Sequence, residues 1–450
     1  RQEYLESVHG ASPFGGRDTE LGRLDAWLAD PNAPSRLLVC APTARGKSAL
    51  LVHWTERVGA VAKWPVVYVP ISLRFGTDRP AVFYALLATQ LAGVLGRSVA
   101  APTLDPEGHY LGTSAELLQA AASQANRVLI VVDGLDEAAA SGFNSTVIPV
   151  RLPTNVKLVV SARQQAGDDG PNGWLARLDW QRSGVAETED LLLLGREAIS
   201  PILASVGLTP SSLSDSLIDR LMALTQGEPL LLSLHAQDLQ SMKAQGASIE
   251  MESLADQAPG FAAYFARAFN TQQRAWQTAG LPFDQQSVDF TLAVLAAAKG
   301  PIQGANLTDL VSGLLQTPRP ASSDSFIKPI ARFVAGDGSV DGGYVLNHPK
   351  LGEYLRVGRV DSTTLVAIHR AFADWGRRVA RSLTANVDLP APAYVLRHHV
   401  EHLVDAGGIT LDDVELLLSN GWRLAWYHHE ADYAGYVASL LAAMAAMRPS

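Results

Sequence analysis

Cysteine is nearly absent. The 450 residues hold one, Cys40, so no disulfide can form within the chain, and the residue reads as a small buried side chain inside a strand. Such sparing use of thiols suits a reducing compartment, and a cytoplasmic location is expected. Runs of apolar residues long enough to cross a bilayer are missing too, as is a charged-then-apolar leader, so neither a membrane span nor a signal peptide is expected. Positive charge is in short supply: 36 Lys and Arg stand against 45 Asp and Glu, a net charge of −9. That balance excludes the broad basic surface of a general nucleic-acid or membrane-surface binder. What is present is 47% hydrophobic and 18% charged residues, the make-up of a well-packed globular protein. At roughly 150 residues per domain the length suggests about three domains. The first residue is Arg1, so a piece of a longer protein is the expectation.

The chain is organised around Arg36-Leu37-Leu38-Val39-Cys40-Ala41-Pro42-Thr43-Ala44-Arg45-Gly46-Lys47-Ser48-Ala49. Residues suited to a buried strand run into a short loop, and Gly46-Lys47-Ser48 opens an apolar helix. This is the layout of a phosphate-binding loop. Successive backbone N–H groups from Thr43, Ala44, Arg45 and Gly46 to Ala49, with the positive end of the helix, form a concave anion site. Lys47 would reach the β- and γ-phosphates, and the Ser48 hydroxyl would bind Mg²⁺. The pattern G-x-x-x-x-G-K-[ST] has glycine where this chain has Ala41, and Ala44 stands where many such loops carry glycine. Alanine pays a steric penalty wherever the loop needs positive φ.

Strands are expected at 66–71, 128–132, 156–161 and 190–194, with helices at 81–95 and at 113–124, where Thr113 and Glu116 suggest a capping box. Strands alternating with helices point to a doubly wound parallel sheet, in which ligands sit at the carboxyl ends of the strands. The loop, the acidic run and Arg163 should therefore converge. Asp133 follows five apolar residues, as a carboxylate must if a rigid strand is to hold it beside Mg²⁺. Gly134 would leave room for the ion's water shell. Asp136 and Glu137 would orient or deprotonate the attacking water, and Arg163 would touch the γ-phosphate.

From residue 195 the strand pattern stops. Helices are expected at 196–206, 211–225, 229–242 and 260–276, then at 286–298 and 305–315, followed by a β-hairpin over 333–346. Two helices and a hairpin suggest a winged helix, and residues 361–450 read as helical. The helix at 305–315 contains no Lys or Arg, which argues against DNA binding, where phosphate contacts dominate affinity. Among the late histidines only His398 and His402 share a helical face. Two ligands without a placed third make zinc an unsuitable reading, and these residues are expected to serve packing or surface roles.

Four stretches together resemble the STAND-class P-loop NTPases of the bacterial NACHT and NLR-like type. They are Val132-Asp133-Gly134-Leu135-Asp136-Glu137, Phe14-Gly15-Gly16-Arg17, Gly227-Glu228-Pro229 and Leu346-Asn347-His348, and the similarity covers residues 13–355. The resemblance implies an α/β P-loop NTPase domain over 13–194, a helical domain over 195–280, a winged-helix domain over 281–360 and a C-terminal helical region over 361–450. It implies ATP/ADP and Mg²⁺ as ligands, Arg17 beside the adenine, Pro229 packed on the base and His348 on the ADP β-phosphate. Pro349 and Asn347 depart from the commonest form of the histidine motif. The implied function is a slow, regulatory ATPase, closed with ADP. With ATP it would self-associate and activate an effector, the effector and sensor domains or proteins lying outside this stretch, antiviral defence being one setting. Membrane and nucleic-acid partners are not expected. The competing reading is a nucleotide-binding scaffold with little or no hydrolysis.

Overall fold

The computed structural model describes residues 13–62, 64–72, 77–102, 105–123, 127–138, 152–182, 185–208, 214–244, 246, 254, 256–278, 284–340, 342–430 and 433–447. The chain divides into two compact units, the first reaching to Tyr264 and the second running from Phe265.

The first unit is built on five strands: β1 (Arg36–Ala41), β2 (Val66–Pro70), β3 (Val128–Asp133), β4 (Val156–Arg163) and β5 (Ala186–Asp190). They pair in the order β2-β3-β4-β1-β5, and every pairing is parallel. Runs such as Leu-Leu-Val-Cys and Val-Leu-Ile-Val-Val suit a sheet covered on both faces, where strands read as nearly continuous apolar runs. Side chains alternate between faces, so each strand feeds two cores. Leu38, Cys40, Val132, Val160 and Ala162 pack on one side with Phe83, Leu87 and Leu91 of the helix Pro80–Val94. Val39, Leu129, Val131 and Val159 pack on the other with Leu50, Leu51 and Trp54 of helix α2 (Lys47–Arg57) and with Leu21, Leu24 and Trp27 of helix α1 (Asp18–Ala29). Each fully buried Leu or Val contributes about 1.5–3 kcal/mol to this arrangement.

Period two also fixes the site. Asp133 is two residues beyond Val131 and Ser161 two beyond Val159, so both carry polar groups onto the α2 face at the strand ends. Strand β4 lies between β1 and β3, with Ala41 opposite Arg163 and Val39 opposite Ser161.

Two expectations change. The fifth strand is Ala186–Asp190, not 190–194. Its sequence, Ala-Glu-Thr-Glu-Asp, is polar because it is an edge strand, and Arg23 holds it through Glu189 at 2.9 Å. The leucines that follow form a connector, with Leu191 and Leu194 buried and Leu192 and Leu193 exposed. The helix placed at 113–124 begins a full two turns earlier and spans Pro106–Ser123, so Thr113 is interior and caps nothing. Gly134 also meets a requirement of the backbone: it sits at φ +87°, and an added Cβ would lie 2.8 Å from the Ile71 carbonyl oxygen.

After the sheet, helices Ile199–Ser205, Asp215–Thr225 and Pro229–Ala244 enclose a separate core that includes Ile202, Leu221, Leu232 and Leu239. In the second unit, helices Gln285–Ala297 and Gly304–Leu315 precede the antiparallel strands Val334–Gly336 and Tyr344–Leu346, and Ile302 bridges to Tyr344. The helices and hairpin expected from the sequence are therefore present. Helices Ser362–Ala385, Ala393–Asp405, Leu411–Leu417, Asn420–Glu430 and Ala434–Met447 follow, around a core with Leu383, Val395, Leu417, Trp422 and Trp426. His399 and His402 are buried there, in agreement with a packing role, and among the described residues no group of three His, Cys, Asp or Glu could hold a metal. Cys40 is buried in β1, where burial pushes its thiol up to about 11. Among the described residues no helix is long and apolar enough to cross a membrane.

Candidate functional site

The strand β1, the turn after it and helix α2 form a P-loop at the carboxyl end of the sheet. Ala41 is the last residue of the strand and does not adopt positive φ, so the missing glycine there costs no backbone strain. Ala44 does, at φ +72°, and Gly46 caps α2 at φ +84°. The penalty expected of the two alanines therefore falls on Ala44 alone. Lys47 Nζ donates to the carbonyls of Ala41 at 2.8 Å and Pro42 at 3.1 Å, folding its ammonium back over the loop. Burial lowers its pKa from the ordinary lysine value, opposed by the charges of Asp136 and Asp133. Thr43, Ala44, Arg45, Ser48 and Ala49 stand with it in or beside the loop, each partly exposed.

Strand β3 delivers the acidic run. Asp133 is fully buried. Its Oδ2 accepts from Tyr68 Oη at 2.8 Å, and its Oδ1 accepts from Ser161 Oγ. The turn Leu135–Ala138 then places Asp136 toward β4 and leaves Glu137 exposed. Arg163, at the end of β4, donates its backbone N–H to Asp136 Oδ1 at 2.7 Å, sets its Nε 3.4 Å from Oδ2, and reaches Thr43 Oγ1 at 3.5 Å. Lysine loop, acidic run and arginine do converge, as the strand ends required.

The helical layer of the same unit closes on this loop. Arg17, almost fully buried, donates to the carbonyl of Arg45 at 3.1 Å and of Leu192 at 2.9 Å and pairs with Glu20 at 2.6 Å. Arg45 lies 3.7 Å from Glu228, and an added Cβ on Gly46 would sit 3.9 Å from Pro229 Cβ. Arg17 thus joins the backbone of the loop to that of the connector at Leu192, and Arg45 joins the loop to Glu228, next to Pro229. His348 belongs to the second unit, where its Nδ1 accepts from the Lys350 backbone N–H at 3.0 Å and caps the helix Pro349–Tyr354. Its surroundings push its pKa down to about 4, with Lys350 adding to the effect of burial.

The Ser48 hydroxyl and the Asp133 carboxylate are hard oxygen donors of the kind Mg²⁺ prefers. With Asp133 held rigidly at a strand end by two hydroxyls, the residues present fit that ion. Sequence reasoning missed Tyr68, Ser161 and Glu228. Ser161 was within reach, since it lies two residues before Arg163 and period two puts it beside the loop. Tyr68 showed only as the one polar-tipped side chain in Val-Val-Tyr-Val-Pro.

No protein-family profile and no curated protein matches the chain. Solved structures similar to it include a STAND protein with a tetratricopeptide repeat sensor from Pyrococcus horikoshii, 13% identical over 98% of this chain and 60% of that one, with a TM-score of 0.40. Cdc6p from Pyrobaculum aerophilum is 13% identical over 76% of this chain and 93% of that one, at a TM-score of 0.38. The Aeropyrum pernix ORC1 protein, solved in complex with DNA, is 16% identical over 77% and 93%, at a TM-score of 0.40.

Proposed function

We propose that this chain is the nucleotide-binding core of an ATP/ADP-switched regulator of the STAND class, of the NACHT and NLR-like type, with slow hydrolysis that resets the switch. The observation that carries the reading is the linkage of the phosphate loop to the helical layer by the Arg45–Glu228 ion pair, with Arg17 joining the loop to the connector that leads into that layer. A phosphate chain seated in the loop touches the residues to which that layer is tied. Contacts that differ between di- and triphosphate then shift the population between two arrangements.

In this reading Lys47 leaves its two carbonyls for the β- and γ-phosphates, and backbone N–H groups from Thr43 to Ala49 hold the β-phosphate. Ser48 and Asp133 hold Mg²⁺, which when bound offsets phosphate charge. Arg17 and Pro229 flank the base. Arg163 senses the third phosphate through its attachment to Asp136, and Glu137 serves the attacking water. His348 contacts the β-phosphate of ADP and favours the closed form. The second unit contributes the winged-helix domain at 281–360. The ATP form self-associates and engages effector and sensor partners outside this stretch, defence against infection being one setting.

A second reading, a nucleotide-binding scaffold with little hydrolysis, draws support from Asp136, both of whose carboxylate oxygens are engaged by Arg163. Binding of ATP and ADP measured beside phosphate release separates the two. Binding with slow release is the result the switch requires, and binding with no release favours the scaffold.

A further inference from the structure

Hydroxyl groups from the strands on either side of β3 grip both oxygens of Asp133: Tyr68 on the edge strand β2 and Ser161 on β4. Ser161 Oγ also accepts from the Gly134 backbone N–H at 2.9 Å, so its own proton is directed at the carboxylate. Tyr68 sits opposite Val131, two residues short of Asp133, and its ring is fully buried among the side chains that face α2. Its backbone is clamped as well. Gln90 accepts from the Tyr68 N–H at 3.0 Å and donates to the Tyr68 carbonyl at 2.8 Å, covering groups that an edge strand leaves open. A phenylalanine would fill the same volume without the cost of burying a hydroxyl. At its tip the phenol donates to the Asp133 carboxylate.

The geometry points to Tyr68 as a positioning residue for the divalent cation that accompanies the nucleotide, an inference that rests on the nucleotide-binding reading above. Two hydroxyl donors, one on each oxygen, fix the plane of the carboxylate and take up part of its acceptor capacity. Without the phenol, the carboxylate loses the hydroxyl donor on Oδ2 and is held less firmly in its plane. Partners of metal-holding carboxylates typically change metal affinity by about ten- to a hundredfold.

The test follows a fluorescent ADP while Mg²⁺, and separately Mn²⁺, is titrated into wild type and Tyr68→Phe, with ADP affinity in EDTA as the baseline. The expected result is equal affinity in EDTA and a Mg²⁺ midpoint raised about tenfold in the variant. An unchanged midpoint overturns the inference, and so does an equal loss of ADP affinity with and without metal, which marks a purely structural role. If Tyr68→Phe fails to fold, 3-fluorotyrosine at position 68 gives the same decision. Its ¹⁹F resonance should move when Mg²⁺ is added to the ADP complex, and a resonance that stays in place overturns the inference. No ADP binding by the wild type would sink the nucleotide reading itself, and this inference with it.

Discussion

Arg163 holds Asp136 twice, with its backbone N–H at 2.7 Å from one carboxylate oxygen and its guanidinium Nε at 3.4 Å from the other. The side chain is about half exposed (47%), so the ion pair itself contributes only about 0–1 kcal/mol to stability. Its value is positional: the arginine stands at the end of β4, between β1, which leads into the loop before Lys47, and β3, which carries Asp133, and it extends to Thr43 in the loop.

Arg163→Ala should therefore leave the melting temperature nearly unchanged and separate the two nucleotides. ADP affinity is expected to stay within about twofold while ATP weakens about tenfold, a difference of about 1.4 kcal/mol. Calorimetric titration with each nucleotide checks this, and equal losses for both would remove Arg163 as the sensor of the third phosphate.

The two alanines of the loop should respond in opposite directions to glycine. Ala44 holds φ +72°, and relief of that strain, about 1 kcal/mol, outweighs the added freedom of the unfolded chain, so Ala44→Gly should be neutral to mildly stabilising. Ala41 ends a buried strand without positive φ, so Ala41→Gly should destabilise by about 0.5–1 kcal/mol even though it restores the commoner motif. Urea denaturation of the two variants compares them, and the reverse order would contradict this account of the loop.

His348 combines a local and a proposed remote task. Its ring nitrogen caps a helix, so His348→Ala should cost about 1 kcal/mol of stability. His348→Asn keeps a good cap and should not. If the imidazole favours ADP, both variants should lose the preference for ADP over ATP by a similar factor. Retention of the preference in the asparagine variant would assign His348 to capping only.

Buried histidines should make the second unit sensitive to acid. Burial lowers His399 to about 4 and His402 to about 2, His402 being held by Tyr394 Oη at 2.8 Å and His369 Nδ1 at 2.9 Å. Below about pH 6.5 the unfolded chain takes up protons that the folded unit refuses, so stability falls as pH drops from 6.5 toward 4, by up to about 1.4 kcal/mol per pH unit for each histidine. Denaturant midpoints for the C-terminal helices between pH 7.5 and 4.5 measure it, and a flat profile would contradict the neutral, buried state.

Much of the first unit was legible because its chemistry is local. Four of five strands are apolar runs that end in Ala41, Pro70, Asp133 and Arg163, and a parallel sheet puts such ends together. Strand β5 was displaced because an edge strand tolerates Glu-Thr-Glu, while the apolar Leu191–Leu194 serves as a connector tied by Arg17 and Gly227. The Ile71 carbonyl beside Gly134 was not legible, since no sequence pattern reports how closely a neighbouring strand approaches. The partners of Asp133 were hidden for the same reason: Tyr68 is 65 residues away and reads as core, which its ring is.

The most direct test of the account is calorimetric titration of ADP and ATP, with Mg²⁺, into wild type and Lys47→Ala. The account predicts that wild type binds both nucleotides and that Lys47→Ala, with its fold intact by circular dichroism, weakens both by about a hundredfold or more, a loss of about 3 kcal/mol. Equal binding by the two proteins, or none by wild type, would contradict it.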